Sequence, residues 1–130
     1  MTDRRPDCVY GLLVKDGRVF VRAMDGHFGL PGGVFRPMAE DRKVELKAHL
    51  WDLLGIEATA VWAQGAFDYR NPDEDGEKFC GFYSVWEWTG DVPGNAGLWL
   101  NADELAMTAV PASLRILAFS VLQTQAVKTT

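Results

Sequence analysis

The chain is poor in cysteine, with two in 130 residues, and so cannot be a disulfide-stapled secreted scaffold. Cys8 and Cys80 both lie in apolar, strand-like contexts, and read as free buried thiols of a reducing cytoplasm. No apolar run reaches the length of a membrane-spanning helix. The charged opening MTDRRPD leads into no cleavage pattern, so a signal peptide is not expected and the expected location is cytoplasmic. Positive charge is also short: 13 Lys and Arg stand against 18 Asp and Glu, a net charge of −5. That balance gives no footprint for duplex nucleic acid or an anionic membrane surface. A phosphate-rich ligand would need local cations or a metal, because the global field repels it. Repeats, low-complexity tracts and linkers are missing as well, so residues 1–130 are expected to form one domain with its own core.

Against these absences stands one informative stretch, residues 28–56, FGLPGGVFRPMAEDRKVELKAHLWDLLGI. It begins as a short strand and turns through Pro31, Gly32 and Gly33. Pro31 cannot donate to a ladder, and the paired glycines allow close backbone approach. From 39 to 54 neither Gly nor Pro occurs, which allows roughly four helical turns, and Gly55 suits a left-handed C-terminal cap. At about 100° per residue the helix separates into stripes. Leu46, Leu50, Leu53 and Leu54 form one apolar stripe, and Val44, Ala48 and Trp51 a second. Asp41, Glu45, His49 and Asp52 lie between them, with Arg42 at the edge. Two apolar flanks predict a helix covered on both sides, with its polar strip facing a groove. The spacing of Glu45, His49 and Asp52 gathers them on one face, either as a solvated strip or as a metal site.

This layout resembles the Nudix hydrolases (MutT-like proteins), whose box reads G-x5-E-x7-R-E-U-x-E-E-x-G-U, with U a bulky aliphatic residue. Leu30-Pro31-Gly32-Gly33 matches the usual entry, Glu40 stands near the first box Glu, and Gly55-Ile56 matches the close. One residue is inserted between Gly33 and Glu40. Counting from Glu40, the Arg-Glu pair falls on Ala48-His49 and the Glu-Glu pair on Asp52-Leu53. The box is therefore degenerate at its carboxylates. The resemblance implies an α/β (α+β) fold, a mixed β-sheet sandwiched between helices. It also implies a divalent metal, Mg or Mn, held by the box helix to bind a pyrophosphate and activate water. Mg2+ demands oxygen ligands, and among these positions Asp52 keeps one, whereas His49 offers nitrogen and Leu53 nothing. Glu40, His49 and Asp52 are the candidate catalytic residues, and Glu40, Glu45, His49 and Asp52 the candidate metal ligands.

The remainder reads as strands and one final helix. Segment 8–15 is apolar on both faces and should be central, Asp16-Gly17 is a hairpin turn, and the chain returns over 18–23. Arg22 on the return strand is a candidate phosphate contact or an ordinary surface arginine. Residues 24–27 read as a turn with His27 in it. Segment 57–69 is a long strand with a possible bulge at Gly65, and 71–77 is an acidic connector whose Asp73, Glu74, Asp75 and Glu77 are either a solvated loop or extra metal carboxylates. In 78–88, alternation places Cys80, Phe82, Trp86 and Trp88 on one face and Phe79, Tyr83 and Val85 on the other. Such aromatics fill cores or stack a nucleobase, and Phe67, Tyr69 and Tyr83 are the candidates for lining a pocket with Gly32 and Gly33. A short strand from 97 runs into a helix start at Asn101, and 112–123 reads as a helix behind Pro111.

Two functions follow from these residues. One is metal-dependent cleavage of a nucleoside diphosphate derivative, a pyrophosphohydrolase. The other is a non-catalytic module of the same fold that binds a nucleotide or other small phosphorylated ligand, or pairs as a homodimer. The missing carboxylates favour the second on chemical grounds, whereas the frequency of hydrolases in the resembled family favours the first, which is the leading expectation.

Overall fold

The computed structural model describes residues 7–24, 27–34, 41–69, 78–108 and 110–128 of the chain. Its strands are β1 (Cys8–Lys15), β2 (Arg18–Met24), β3 (His27–Gly29), β4 (Gly32–Val34), β5 (Glu57–Tyr69), β6 (Lys78–Thr89) and β7 (Gly97–Leu100). Its helices are α1 (Arg42–Leu54), α2 (Ala102–Met107) and α3 (Ala112–Lys128). The strands form a mixed sheet in the order β3-β2-β1-β6-β5, with β4 also on β1 and β7 also on β2. β1 runs parallel to β6, and antiparallel to β2 and β4. One edge of β1 is divided between two partners: Cys8, Val9 and Tyr10 face β4, while Val14 and Lys15 face β2. The β1–β2 turn takes positive φ at Asp16 and Gly17, 53° and 74°, the two-residue turn whose twist matches the flanking strands.

β1 is buried on both faces, as its apolar run requires. Tyr10, Leu12 and Val14 join a core with Leu114, Ala118 and Val121 of α3. Val9 and Leu13 join a second core with Leu46, Leu50 and Leu54 of α1. The sheet is thus sandwiched between α1 and α3, the expected α/β/α arrangement. Each of the three α1 leucines is at most 3% exposed, and burying such a side chain is worth about 1.5–3 kcal/mol. Asp41 caps α1 by accepting from the backbone N–H of Lys43 (2.8 Å) and Val44 (3.3 Å). Gly55 ends it at φ 69°, donating its N–H to the Trp51 carbonyl at 2.9 Å. Asn101 and Glu104 form a reciprocal capping box on α2. Cys8 and Cys80 are neighbours across β1 and β6, and both are buried.

Four expectations change. The second apolar stripe of α1 is not covered: Val44 and Trp51 are each 61% exposed and Ala48 is exposed. α1 rests on the single layer formed by β1, β4 and β5, and one layer buries one stripe. Trp88 lies with the α1-side core, not on the face of Cys80 and Phe82. The register slips opposite it, with Ala58 against Trp88, Ala60 against Glu87 and Val61 against Val85, and such irregularities break the two-residue alternation. Met24 and His27 belong to β2 and β3 and pair with each other. Helix α3 continues past the expected 123 to Lys128. The bulge at Gly65 is present, at φ 148°.

Candidate functional site

The glycine turn is positioned by β1. The Pro31 carbonyl accepts from the Gly11 N–H at 2.9 Å, and β4 then lies along Cys8, Val9 and Tyr10. Gly32 has φ 156°, and a Cβ there would collide with the Val9 carbonyl oxygen. Gly33 is required for another reason: a Cβ would stand 2.7 Å from Cε1 and 3.0 Å from Nδ1 of His49. The imidazole thus packs flat beneath the turn. Its Nε2 lies 2.9 Å from the Val34 carbonyl oxygen. A carbonyl only accepts, so Nε2 carries the proton and donates. Glu45, one helical turn earlier, is 3% exposed, and its Oε1 is 4.0 Å from the same Nε2. Asp52, one turn later, stands exposed.

The polar strip of α1 is therefore graded from buried Glu45 through half-buried His49 to exposed Asp52. At its middle, His49 reaches β4 through the Val34 carbonyl. As a magnesium site the described donors fit badly. Nε2 of His49 is committed to Val34, its remaining donor is a nitrogen and not an oxygen, and the oxygens of Glu45 and Asp52 lie at opposite ends of the burial gradient. Among the described residues, no three His, Cys, Asp or Glu side chains are gathered to hold a metal ion. Glu40 and the acidic connector residues Asp73, Glu74, Asp75 and Glu77 lie outside the described residues.

The proposed pocket aromatics separate onto two faces. Tyr83 is buried on the α1 side, whereas Tyr69 and Phe67 belong to the α3-side core. There Phe67 stacks on Phe82 at 4.3 Å, and Tyr69 meets Tyr10 and Phe82 edge-on near 6 Å. Tyr83 sits near the N-terminus of α1. Burial pushes its phenol above the ordinary 10.0, partly offset by Arg42, whose guanidinium attracts the phenolate and donates to the phenol oxygen; Asp41 reinforces the rise. Arg22 is half-buried on β2, between β3 and β7. The Arg42–Tyr83 contact joins residues far apart in sequence, and only its helix-edge position marked Arg42 beforehand.

A separate hollow of about 310 Å3 opens at the far end of β1. Lys15, Arg18, Trp88 and Trp99 line it, with Asp16 and Asp91. No local motif announces it, because its residues come from β1, β2, β6, β7 and the loop after β6.

No family model matches the chain, and no curated protein matches its sequence. Solved structures do. A MutT protein from work on Aliivibrio salmonicida and Vibrio cholerae is similar at TM-score 0.73 and 22% identity, over 92% of this chain and 97% of that one. A MutT Nudix hydrolase from Burkholderia pseudomallei is similar at TM-score 0.70 and 18% identity, over 89% and 97% of the two chains. A Nudix hydrolase from Nitrosomonas europaea is similar at TM-score 0.71 and 11% identity, over 93% and 90%. At these identities the likeness establishes the Nudix hydrolase fold, a mixed sheet between helices.

Proposed function

We propose that this Nudix-fold domain binds a nucleoside diphosphate derivative, or a similarly small phosphorylated ligand, beside the Gly32-Gly33 turn and α1, as a binding module without metal-dependent cleavage. The supporting observation is the role of His49. In the box register it occupies the place of a carboxylate, and its Nε2–H is given to the Val34 carbonyl at 2.9 Å while its ring packs on Gly33. With Nε2–H spent on bracing the turn, the ring offers a metal only the nitrogen Nδ1, where Mg2+ requires oxygen. Gly32 and Gly33 are partly exposed and carry no side chain, and Arg42 and Lys43 supply local cations at the start of α1 against a net charge of −5. Arg22 is the further candidate phosphate contact.

A second function, pyrophosphohydrolysis with Mg or Mn, is favoured by the fold neighbours, which are Nudix and MutT hydrolases. It would rest on Glu40 and Asp52, with Glu45 or His49 assisting. Calorimetric titration with adenosine diphosphate and its sugar esters, with Mg2+, with Mn2+ and with chelator, separates the two. The binding module takes ligand in chelator and releases no phosphate products. The hydrolase binds metal saturably and turns over, and Asp52→Ala lowers its turnover at least tenfold.

A further inference from the structure

The hollow at the far end of β1 is chemically unlike the glycine turn. It lies about 17 Å from Tyr10 along the strand, five residues at about 3.3 Å each. Its floor is an indole pair: Trp88 and Trp99 lie 6.0 Å apart between centroids with an interplanar angle of 16°. Trp99 is backed in turn by Phe20, 5.5 Å away and 1% exposed, so the floor is anchored in the α1-side core. Both indoles keep part of their surface open. Gly90, at φ 95°, tucks the following loop against the end of α1, where a Cβ would stand 3.1 Å from the Gly55 carbonyl oxygen. The Ala23 N–H then binds the Ala96 carbonyl at 2.9 Å, fixing the far end of the loop that carries Asp91.

The charges of the hollow come in opposed pairs. Lys15 and Arg18 are directly opposite across the hairpin, so their side chains leave the sheet on one face. Like charges so placed repel, which an anionic group between them would relieve. Glu104 relieves Arg18 only in part, at 3.9 Å between half-exposed side chains. Asp16 and Asp91 bring two negative charges to the same lining. A ligand of one sign would satisfy one pair and be repelled by the other.

We propose that this hollow binds a planar aromatic zwitterion of the aromatic amino acid class. Its carboxylate lies between Lys15 and Arg18, its ammonium faces Asp16 and Asp91, and its ring stacks on the Trp88–Trp99 floor. The volume of about 310 Å3 is at the small end of ligand pockets and suits a molecule of that size.

The test is a heteronuclear NMR titration of the full chain with L-phenylalanine, following the indole N–H signals assigned by single Trp→Phe variants. The signals of Trp88 and Trp99 move saturably, and those of Trp51 and Trp62 stay in place. Phenethylamine, which lacks the carboxylate, and 3-phenylpropionate, which lacks the ammonium, bind at least tenfold more weakly. In the Lys15→Ala, Arg18→Ala double variant, both sites being exposed, the advantage of phenylalanine over phenethylamine disappears in a folded protein. Stationary Trp88 and Trp99 signals overturn the proposal, as does equal binding of either single-charge analogue or by the double variant. The Gly33 backbone N–H reports the glycine turn in the same spectra, so failure at either place is read separately.

Discussion

The two ends of β1 carry two kinds of site. At Cys8–Tyr10 the strand holds the glycine turn, and the turn, Glu45 and His49 all come from one continuous stretch of sequence, from Leu30 to Gly55. At Lys15 it helps line a hollow whose parts come from both halves of the chain. The first end is built from backbone: two residues with no side chain, one carbonyl, one imidazole. The second is built from side chains, and its backbone only delivers them. Substitutions should therefore damage folding at the first end and ligand recognition at the second.

The sharpest contrast is expected at Gly32. Alanine there meets the backbone of Val9 and keeps an unfavourable φ of 156°, so Gly32→Ala should cost more than about 3 kcal/mol in a urea melt, enough to unfold a marginal domain. Gly33→Ala meets a side chain instead, 2.7 Å from the His49 ring, and should cost about 1–3 kcal/mol. In a His49→Ala background most of that cost should vanish, a coupling that a double-mutant cycle reads directly. If the two substitutions add independently, His49 does not brace the turn.

Tyr83 gives a smaller effect with a defined pH window. Its folded pKa is raised above 10.0, mainly by burial, so the folded state holds the phenolic proton more tightly than the unfolded chain. That contribution is fully present below pH 10 and is lost as pH rises through the folded pKa. Melting temperature should therefore fall on going from pH 9 to above 10, and Tyr83→Phe should flatten the fall. The smallest effect on stability belongs to the other end: Lys15→Ala with Arg18→Ala should change unfolding free energy by less than about 0.5 kcal/mol, since both are exposed and opposed like charges. A large loss there would erase the contrast between the two ends.

The same contrast explains what could be read beforehand. The turn at Asp16-Gly17, the cap at Gly55, the bulge at Gly65 and the two-sided burial of β1 are local chemistry, and each is where the residues indicate. The two faces of α1 were not distinguishable, because amphipathic spacing says which residues share a stripe and not which stripe meets the sheet. Leu46 and Leu50 meet it, and Val44 and Trp51 do not. Strand alternation failed at Trp88, where the ladder slips, and that slip sets its indole beside Trp99. His49 is legible as a member of the polar strip of α1, but its bond to Val34 depends on the depth at which β4 crosses the helix, which spacing does not encode.

Binding beside the glycine turn without metal is tested most directly by the backbone N–H signals of Gly32 and Gly33 during titration with adenosine diphosphate in the presence of chelator. Saturable shifts at both glycines, with intact adenosine diphosphate recovered afterwards, are the expected result. Shifts that appear only after Mg2+ or Mn2+ is added, accompanied by phosphate release, would contradict it.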